Sequence, residues 1–430
     1  MERIFTNDKS IVMNNKKIKV VWICHLSNAL IKKHLKFSKW TLLTILRRLF
    51  GKTDIADFAQ WNTNAIKEFE KFEDVELHIV APYFNICGVQ EFEINGIKYH
   101  FFQTEDDNIV SKIHHKITKK LKTSYSKNSK RIIQVINKIN PDIIHMIGAE
   151  NPYYSESALY LDDKIPFIVS LQTLLSDPDF LKNYPISQES YKYCSELEAK
   201  IIAKVDYIGS KVEHFRNIIH KEISSNAKFL DMSLAVGEEI TIGEYKKEYD
   251  FVYFAANISK AVDWALEAFA IAKQQYSNIT LHVVGGYSSN FMSNIKNRMQ
   301  ELGLGNEVDF TGLMPTHDDV IEEVRKARFA LLPLKIDLIT GTIREAMANG
   351  LPVVTTITPA TPKLNEKRES VLLSEKEDFK AMADNMCKLL SDAGYAKQLQ
   401  QNAAQTVYER YSNETAMKEW RERYYEILKK

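Results

Sequence analysis

At 430 residues the chain exceeds the size at which one hydrophobic core keeps growing, so its length predicts two domains of about 200 residues each. A hydrophobic fraction of 45% beside 26% charged residues is that of a soluble globular protein and argues against a mainly disordered chain. The net charge of +1 conceals two acid-free basic stretches, seven Lys/Arg over residues 32–52 and eight over 109–131, which give the first half a polarised surface suited to an anionic partner.

Residues 1–16 are polar and predict a loose tail. Residues 17–24 predict a buried first strand that ends in the loop His25-Leu26-Ser27-Asn28. The spacing of Phe58, Trp61, Ala65, Ile66 and Phe69 predicts a helix over 57–72, followed by a strand over 75–81 stopped by Pro82. Residues 90–103 predict a hairpin turning at Asn95-Gly96. A basic helix near 109–139 leads through Pro141 into a strand over 142–147, then come strands at 165–171 and 205–210 around a helix at 188–204. A second series starts near Tyr249, with strands at 251–256, 280–286, 308–312, 329–333 and 352–356. Helices are predicted between them at 262–275, 290–302 and 317–327, with a short one carrying Glu345, and closing helices at 378–390, 396–411 and 414–430.

This alternation predicts an α/β protein with two doubly wound Rossmann-like domains facing each other across a cleft, and ligands at the carboxyl ends of the strands. The periodic pattern lapses between about 225 and 248, which divides the chain into a first domain over 1–235 and a second over 236–411. Residues 412–430 form a closing helix free to return to the first domain. Cys24, Cys87, Cys194 and Cys387 lie far apart, which argues against a disulfide framework and a zinc site and for a reducing compartment. With no apolar leader and no apolar run of about 18 residues, the expectation is a cytoplasmic protein.

The segment from Asp337 to Thr356 carries the most chemistry. Two carboxylates, Asp337 and Glu345, lie eight residues apart across the turn Thr340-Gly341-Thr342, ahead of a short helix closed by Gly350. A small turn opening a helix leaves backbone N–H groups unpaired at the positive end of the dipole, which suits a phosphate. The acids would repel a phosphate but accept hydrogen bonds from sugar and ribose hydroxyls, so a nucleotide sugar fits the pattern. A structural helix with Glu345 as a first-turn dipole partner fits these residues equally.

Glu345-Ala346-Met347-Ala348-Asn349-Gly350-Leu351-Pro352-Val353-Val354 resembles the signature of the retaining glycosyltransferases of the GT-B fold, family 4, also called group 1. That resemblance implies that Glu345 holds the ribose hydroxyls and that Asp337, where the family usually has Glu, takes the place of the acid touching the donor sugar. Lys260 matches the lysine of a basic pair that clamps the diphosphate. The arginine of the pair is absent, with Asn257 in its neighbourhood, and Arg344 is the candidate substitute. Gly285 and Gly286 match glycines that let the nucleotide approach the backbone, and Thr311-Gly312-Leu313 matches the place where main chain meets the base. In the first domain the family's glycine pair is replaced by the loop containing His25, and Gln172 stands where many members have His. Glu150, in the loop after the strand at 142–147, joins Gln172 and His25 as an acceptor-side candidate, with His25 also a candidate catalytic residue.

The resemblance further implies a metal-independent transfer from a nucleoside diphosphate sugar, with no cofactor, to a saccharide that is frequently lipid-linked, as in capsule, exopolysaccharide or lipopolysaccharide assembly. The apolar and basic stretch 35–50 suits an interfacial helix on an anionic membrane better than nucleic acid, which predicts a peripheral location at the inner face. Asp177-Pro178-Asp179 is an acid pair of the kind that holds a metal in transferases of another fold, and it lacks the preceding strand expected there. Phosphate-binding P-loops, nucleophile elbows and a Gly-x-Gly-x-x-Gly turn after the first strand are absent, which removes the commonest hydrolases and dehydrogenases. A nucleotide-sugar epimerase, a phosphorylase and a degenerate binding subunit remain as alternatives on the same fold.

Overall fold

The computed structural model describes residues 17–37, 57–105, 124–178, 180, 188–235, 241, 243–255, 261–335 and 341–429. Lys260, Asp337 and Thr340, much of both basic stretches, and Asp179 lie outside the described residues. The first sheet contains β1 (Ile18–Ile23), β2 (Val75–Tyr83), β3 (Val89–Ile94), β4 (Ile97–Gln103), β5 (Ile143–Ile147), β6 (Phe167–Ser170), β7 (Tyr207–Gly209) and β8 (Phe229–Leu230), in the order β3-β4-β2-β1-β5-β6-β7-β8. Its pairings are parallel except in the β3–β4 hairpin, whose Asn95 and Gly96 both take positive φ, as a tight two-residue turn requires. The second sheet contains β9 (Tyr249–Phe254), β10 (Leu281–Val284), β11 (Val308–Gly312), β12 (Ala327–Leu331), β13 (Val353–Thr356) and β14 (Leu372–Ser374). All its pairings are parallel, in the order β11-β10-β9-β12-β13-β14. That is the doubly wound order, with its switch point between β9 and β12.

Each sheet is covered by its own apolar cores, as expected for strands buried on both faces. Contrary to the sequence expectation, β2 runs through Pro82 to Tyr83. Pairing with β1 ends at Ile23–Val80, so at Pro82 only β4 remains alongside and no second strand needs the missing N–H. The predicted extension of a helix to Ala327 also fails, because that residue opens β12 beside β9.

The helix Asn413–Leu428 packs into the core of the first domain. Trp420 donates from Nε1 to the carbonyl of Ser233, and Trp22 Nε1 donates to Tyr424 Oη at 2.9 Å. Tyr424 Oη lies 2.6 Å from His145 Nδ1, and burial lowers that imidazole to about 3, so a neutral ring shares this hydrogen bond with the phenol. The chain therefore crosses between domains twice, once before β9 and once near Ser412. No helix among the described residues is long and apolar enough to cross a membrane.

Candidate active site

The helix Gly341–Ala348 begins beyond the carboxyl end of β12, beside the switch point. Its rotation is fixed by packing, since Ile343, Ala346 and Met347 are fully buried. Gly350, at φ +71°, ends it with a left-handed turn in which Leu351 N donates to Ala346 O and Gly350 N to Met347 O. The loop leaving β12 is pinned to β13, where Thr356 Oγ1 donates to Leu334 O and accepts from Leu334 N. Lys335 then spans to Asp263 at 2.5 Å, at the start of the helix Val262–Gln275, and so places a cation at the switch point that the sequence reading did not single out.

Thr342 and Glu345, three residues apart, share one helix face. With Gly285, Gly286, Leu313 and His317 they line a pocket of about 200 Å³. Asp57 of the first domain also lines this pocket. An adjoining cavity of about 540 Å³ extends along Gly286, Tyr287, Phe310, Gly312 and Leu313. A Cβ on Gly286 would stand 2.8 Å from Leu313 Cβ, so only glycine lets the loops after β10 and β11 close together. Leu313 remains 70% exposed, an apolar edge available to a flat ring. Glu345 itself is 7% exposed and approaches His317 Nε2 to 3.3 Å. Sequence reasoning missed His317, although the capping box Thr316-His317-Asp318-Asp319 was visible and sets it at the first position of the helix His317–Arg325.

Arg344 points elsewhere. One residue from Glu345 means about 100° around the helix. Its side chain lines a separate cavity toward the first domain, where Nη1 reaches Leu234 O at 3.4 Å and the guanidinium lies 5.8 Å from the ring of Tyr411.

On the opposite domain, His25, Glu150 and Gln172 follow β1, β5 and β6, three adjacent strands that present their carboxyl ends together. His25 Nδ1 meets Tyr153 Oη at 2.5 Å, and burial lowers the imidazole to about 4. Gln172 donates from Nε2 to Ile147 O. Glu150 accepts from Asn151 Nδ2, and its other oxygen is shielded and lacks a hydrogen-bond partner. Burial raises its carboxyl to about 7, while N–H groups of its own backbone and of Ala149 pull the other way. Because the folded value exceeds the unfolded one, Glu150 contributes most to stability below about 4.5, and that contribution disappears as pH rises through 7. Glu150→Gln is accordingly expected to raise the denaturation midpoint at pH 8, worth about 1–3 kcal/mol, and to leave it unchanged at pH 4.5. Equal midpoints at pH 8 would count against a buried, proton-retaining carboxyl. Asp177 is occupied by His214, whose Nε2 lies 2.8 Å away.

Both halves of the chain match known protein families. A family model described as Glycosyl transferases group 1 matches residues 249–392, and one described as Glycosyl transferase 4-like matches 75–204. An uncharacterized glycosyltransferase of Haemophilus influenzae is 25% identical over 163 residues, covering 38% of this chain and 44% of that protein. The N-acetyl-alpha-D-glucosaminyl L-malate synthase of Bacillus anthracis is 24% identical over 219 residues, covering 49% and 55%. The chain thus spans about half the length of the relatives it matches. Among solved structures, sucrose-phosphate synthase from Thermosynechococcus elongatus superposes with a TM-score of 0.65 at 15% identity, covering 96% of this chain and 99% of that one. HepE of Anabaena in complex with UDP-glucose gives 0.61 at 12% identity, with the same coverage. At these identities the likeness concerns the fold.

Proposed function

We propose, for a chain that belongs to the group 1 glycosyltransferases, that it transfers a sugar from a nucleoside diphosphate sugar to a saccharide acceptor. The observation that carries this reading is the convergence of Gly285, Gly286, Leu313, Thr342 and Glu345, from three separate strand-to-helix connections, on one pocket at the cleft. In this reading the open amides at the start of the helix Gly341–Ala348 hold the diphosphate, and Glu345 accepts from the ribose hydroxyls. The cavity beside Leu313 receives the base. Lys260, Asp337 and Thr340, beyond the described residues, complete the donor site, and stabilising the departing diphosphate supplies the main catalytic effect. Transfer proceeds with retention and without a metal.

The first domain takes the acceptor between the carboxyl ends of β1, β5 and β6, where His25, Glu150 and Gln172 lie. UDP-glucose in the crystals of the Anabaena neighbour, and UDP with α-GlcNAc-glycerol in those of Staphylococcus aureus TarM, support a uridine nucleotide and a saccharide as the first ligands to try. The TarM structure matches this chain with a TM-score of 0.54 at 14% identity. The basic, apolar stretch at 35–50 supports a lipid-linked acceptor at an anionic membrane face, in capsule, exopolysaccharide or lipopolysaccharide assembly.

A thermal-shift screen with nucleoside diphosphates and nucleotide sugars tests the donor assignment, since a ligand that binds only the folded chain raises its midpoint. At least one diphosphate is expected to shift the midpoint, and no response across the panel would overturn the reading. Membrane docking is tested by sedimentation with phosphatidylserine-containing vesicles at low salt. Protein left in the supernatant would remove that part.

A further inference from the structure

The cavity that Arg344 lines is distinct from the pocket around Glu345 and has about 530 Å³. Its walls come from both domains, with Gln172, Ser210 and Leu234 on one side and Arg344, Lys363 and Arg410 on the other. Resting on the transferase reading, we propose that Arg344 and Lys363 form an anion-binding subsite on the acceptor side of the cleft, receiving a phosphate or carboxylate carried by the acceptor.

The charges around this cavity are unevenly matched. Glu419 is paired with Lys211 at 2.7 Å, Glu366 with Arg410 at 2.8 Å, Glu409 with Arg368 at 3.0 Å and Asp231 with Arg216 at 2.5 Å. Glu213 stands exposed at the rim, in the first turn of the helix Glu213–Ile218. Among the described residues neither Arg344 nor Lys363 is in salt-bridge contact with a carboxylate, and the one carboxylate acting on Arg344 through space is Glu345, its neighbour on the helix. The Nε of Arg344 is shielded from solvent and makes no hydrogen bond, and Nη1 has only the long contact to Leu234 O. Burial lowers this guanidinium to about 10, which still leaves it charged at neutral pH. Arg344 is half-buried, with its Nε shielded and unbonded, so the cation is only partly compensated, and the planar fork of arginine fits the two oxygens of a phosphate or carboxylate. Lys363, exposed in the short turn Thr361–Asn365, adds a second positive charge at the mouth.

The placement also separates this subsite from the donor. Glu345 and Thr342 line the donor pocket, whereas Arg344 faces the strand ends of β6, β7 and β8. An acceptor anchored there by its negative group lies against the first domain, with the donor held by the second.

Calorimetric titration of inorganic phosphate and of succinate into the full chain saturated with UDP, at fixed ionic strength, tests the assignment. Wild type is expected to bind at least one of the two, with Arg344→Gln and Lys363→Gln each weakening that binding at least fivefold. UDP affinity should stay within twofold in both variants. Preference for phosphate assigns a phosphorylated acceptor, and preference for succinate an acceptor bearing a carboxylate. Absence of anion binding to UDP-loaded wild type overturns the proposal, as does undiminished binding by both variants. A tenfold loss of UDP affinity in Arg344→Gln would overturn it too, because the guanidinium would then belong to the donor. Should that variant fail to fold, the exposed Lys363→Gln decides. If UDP does not bind wild type, the donor assignment fails, and titration of the unliganded chain still decides the subsite.

Discussion

Replacing Glu345 with alanine is expected to lower sugar transfer at least tenfold, equivalent to about 1.4 kcal/mol or more of lost transition-state stabilisation. The carboxylate is almost wholly buried beside Thr342, so its removal deprives that helix face of its hydrogen-bond acceptor and leaves Asp57, on the first domain, as the remaining carboxylate in the lining. Much of the loss should appear in donor affinity, since the ribose hydroxyls are held in ground state and transition state alike. Glu345→Gln retains an acceptor oxygen and the packing volume, and should fall between wild type and alanine. Steady-state kinetics with varied donor, together with the UDP-induced thermal shift, check both variants. Unchanged kinetics in Glu345→Ala would remove the pocket from the reaction.

The largest effect on stability is expected at Trp420. This side chain is 1% exposed, contacts Trp22 edge-on at 5.3 Å and His145 at 4.5 Å, and donates to Ser233 O. Trp420→Ala should cost about 3–5 kcal/mol, the range for emptying a large buried aromatic site. The loss should fall on the first domain, whose core contains this residue, while the core of the second domain does not include it. Urea denaturation followed by tryptophan fluorescence and by hydrogen exchange would show the transition of the first domain at lower denaturant and that of the second unmoved. A uniform shift of both would mean that the two domains unfold as one unit.

Much of the fold was legible because local chemistry and global architecture agree. Asn95-Gly96 could only be a tight hairpin turn, and β-branched runs separated by helical spacing yielded two wound sheets. Pro82 misled because a strand boundary was inferred from one residue, whereas the pairing partners of β2 decide whether a missing N–H matters. Convergence of Gly285, Gly286, Leu313 and Glu345 followed from family resemblance, because residues so far apart carry no local signal of contact. The direction of Arg344 was invisible for a different reason. A sequence reveals that residues 342, 344 and 345 occupy different faces of a helix, but only packing of Ile343, Ala346 and Met347 determines which face looks where. The destination of the helix Asn413–Leu428 was likewise open, since Met417, Trp420 and Tyr424 announce an apolar stripe without naming its partner.

That returning helix has a consequence for synthesis. Trp22 and Tyr424 are joined by a hydrogen bond across 402 positions of sequence, so the first lobe emerges from the ribosome early yet stays incomplete until residues 413–428 have followed. The second lobe, whose strands and helices are contiguous between the two crossings, can fold before the first is finished. A nascent chain halted before residue 413 would therefore expose the unfilled groove around Trp22 and Phe69, a natural handle for a chaperone.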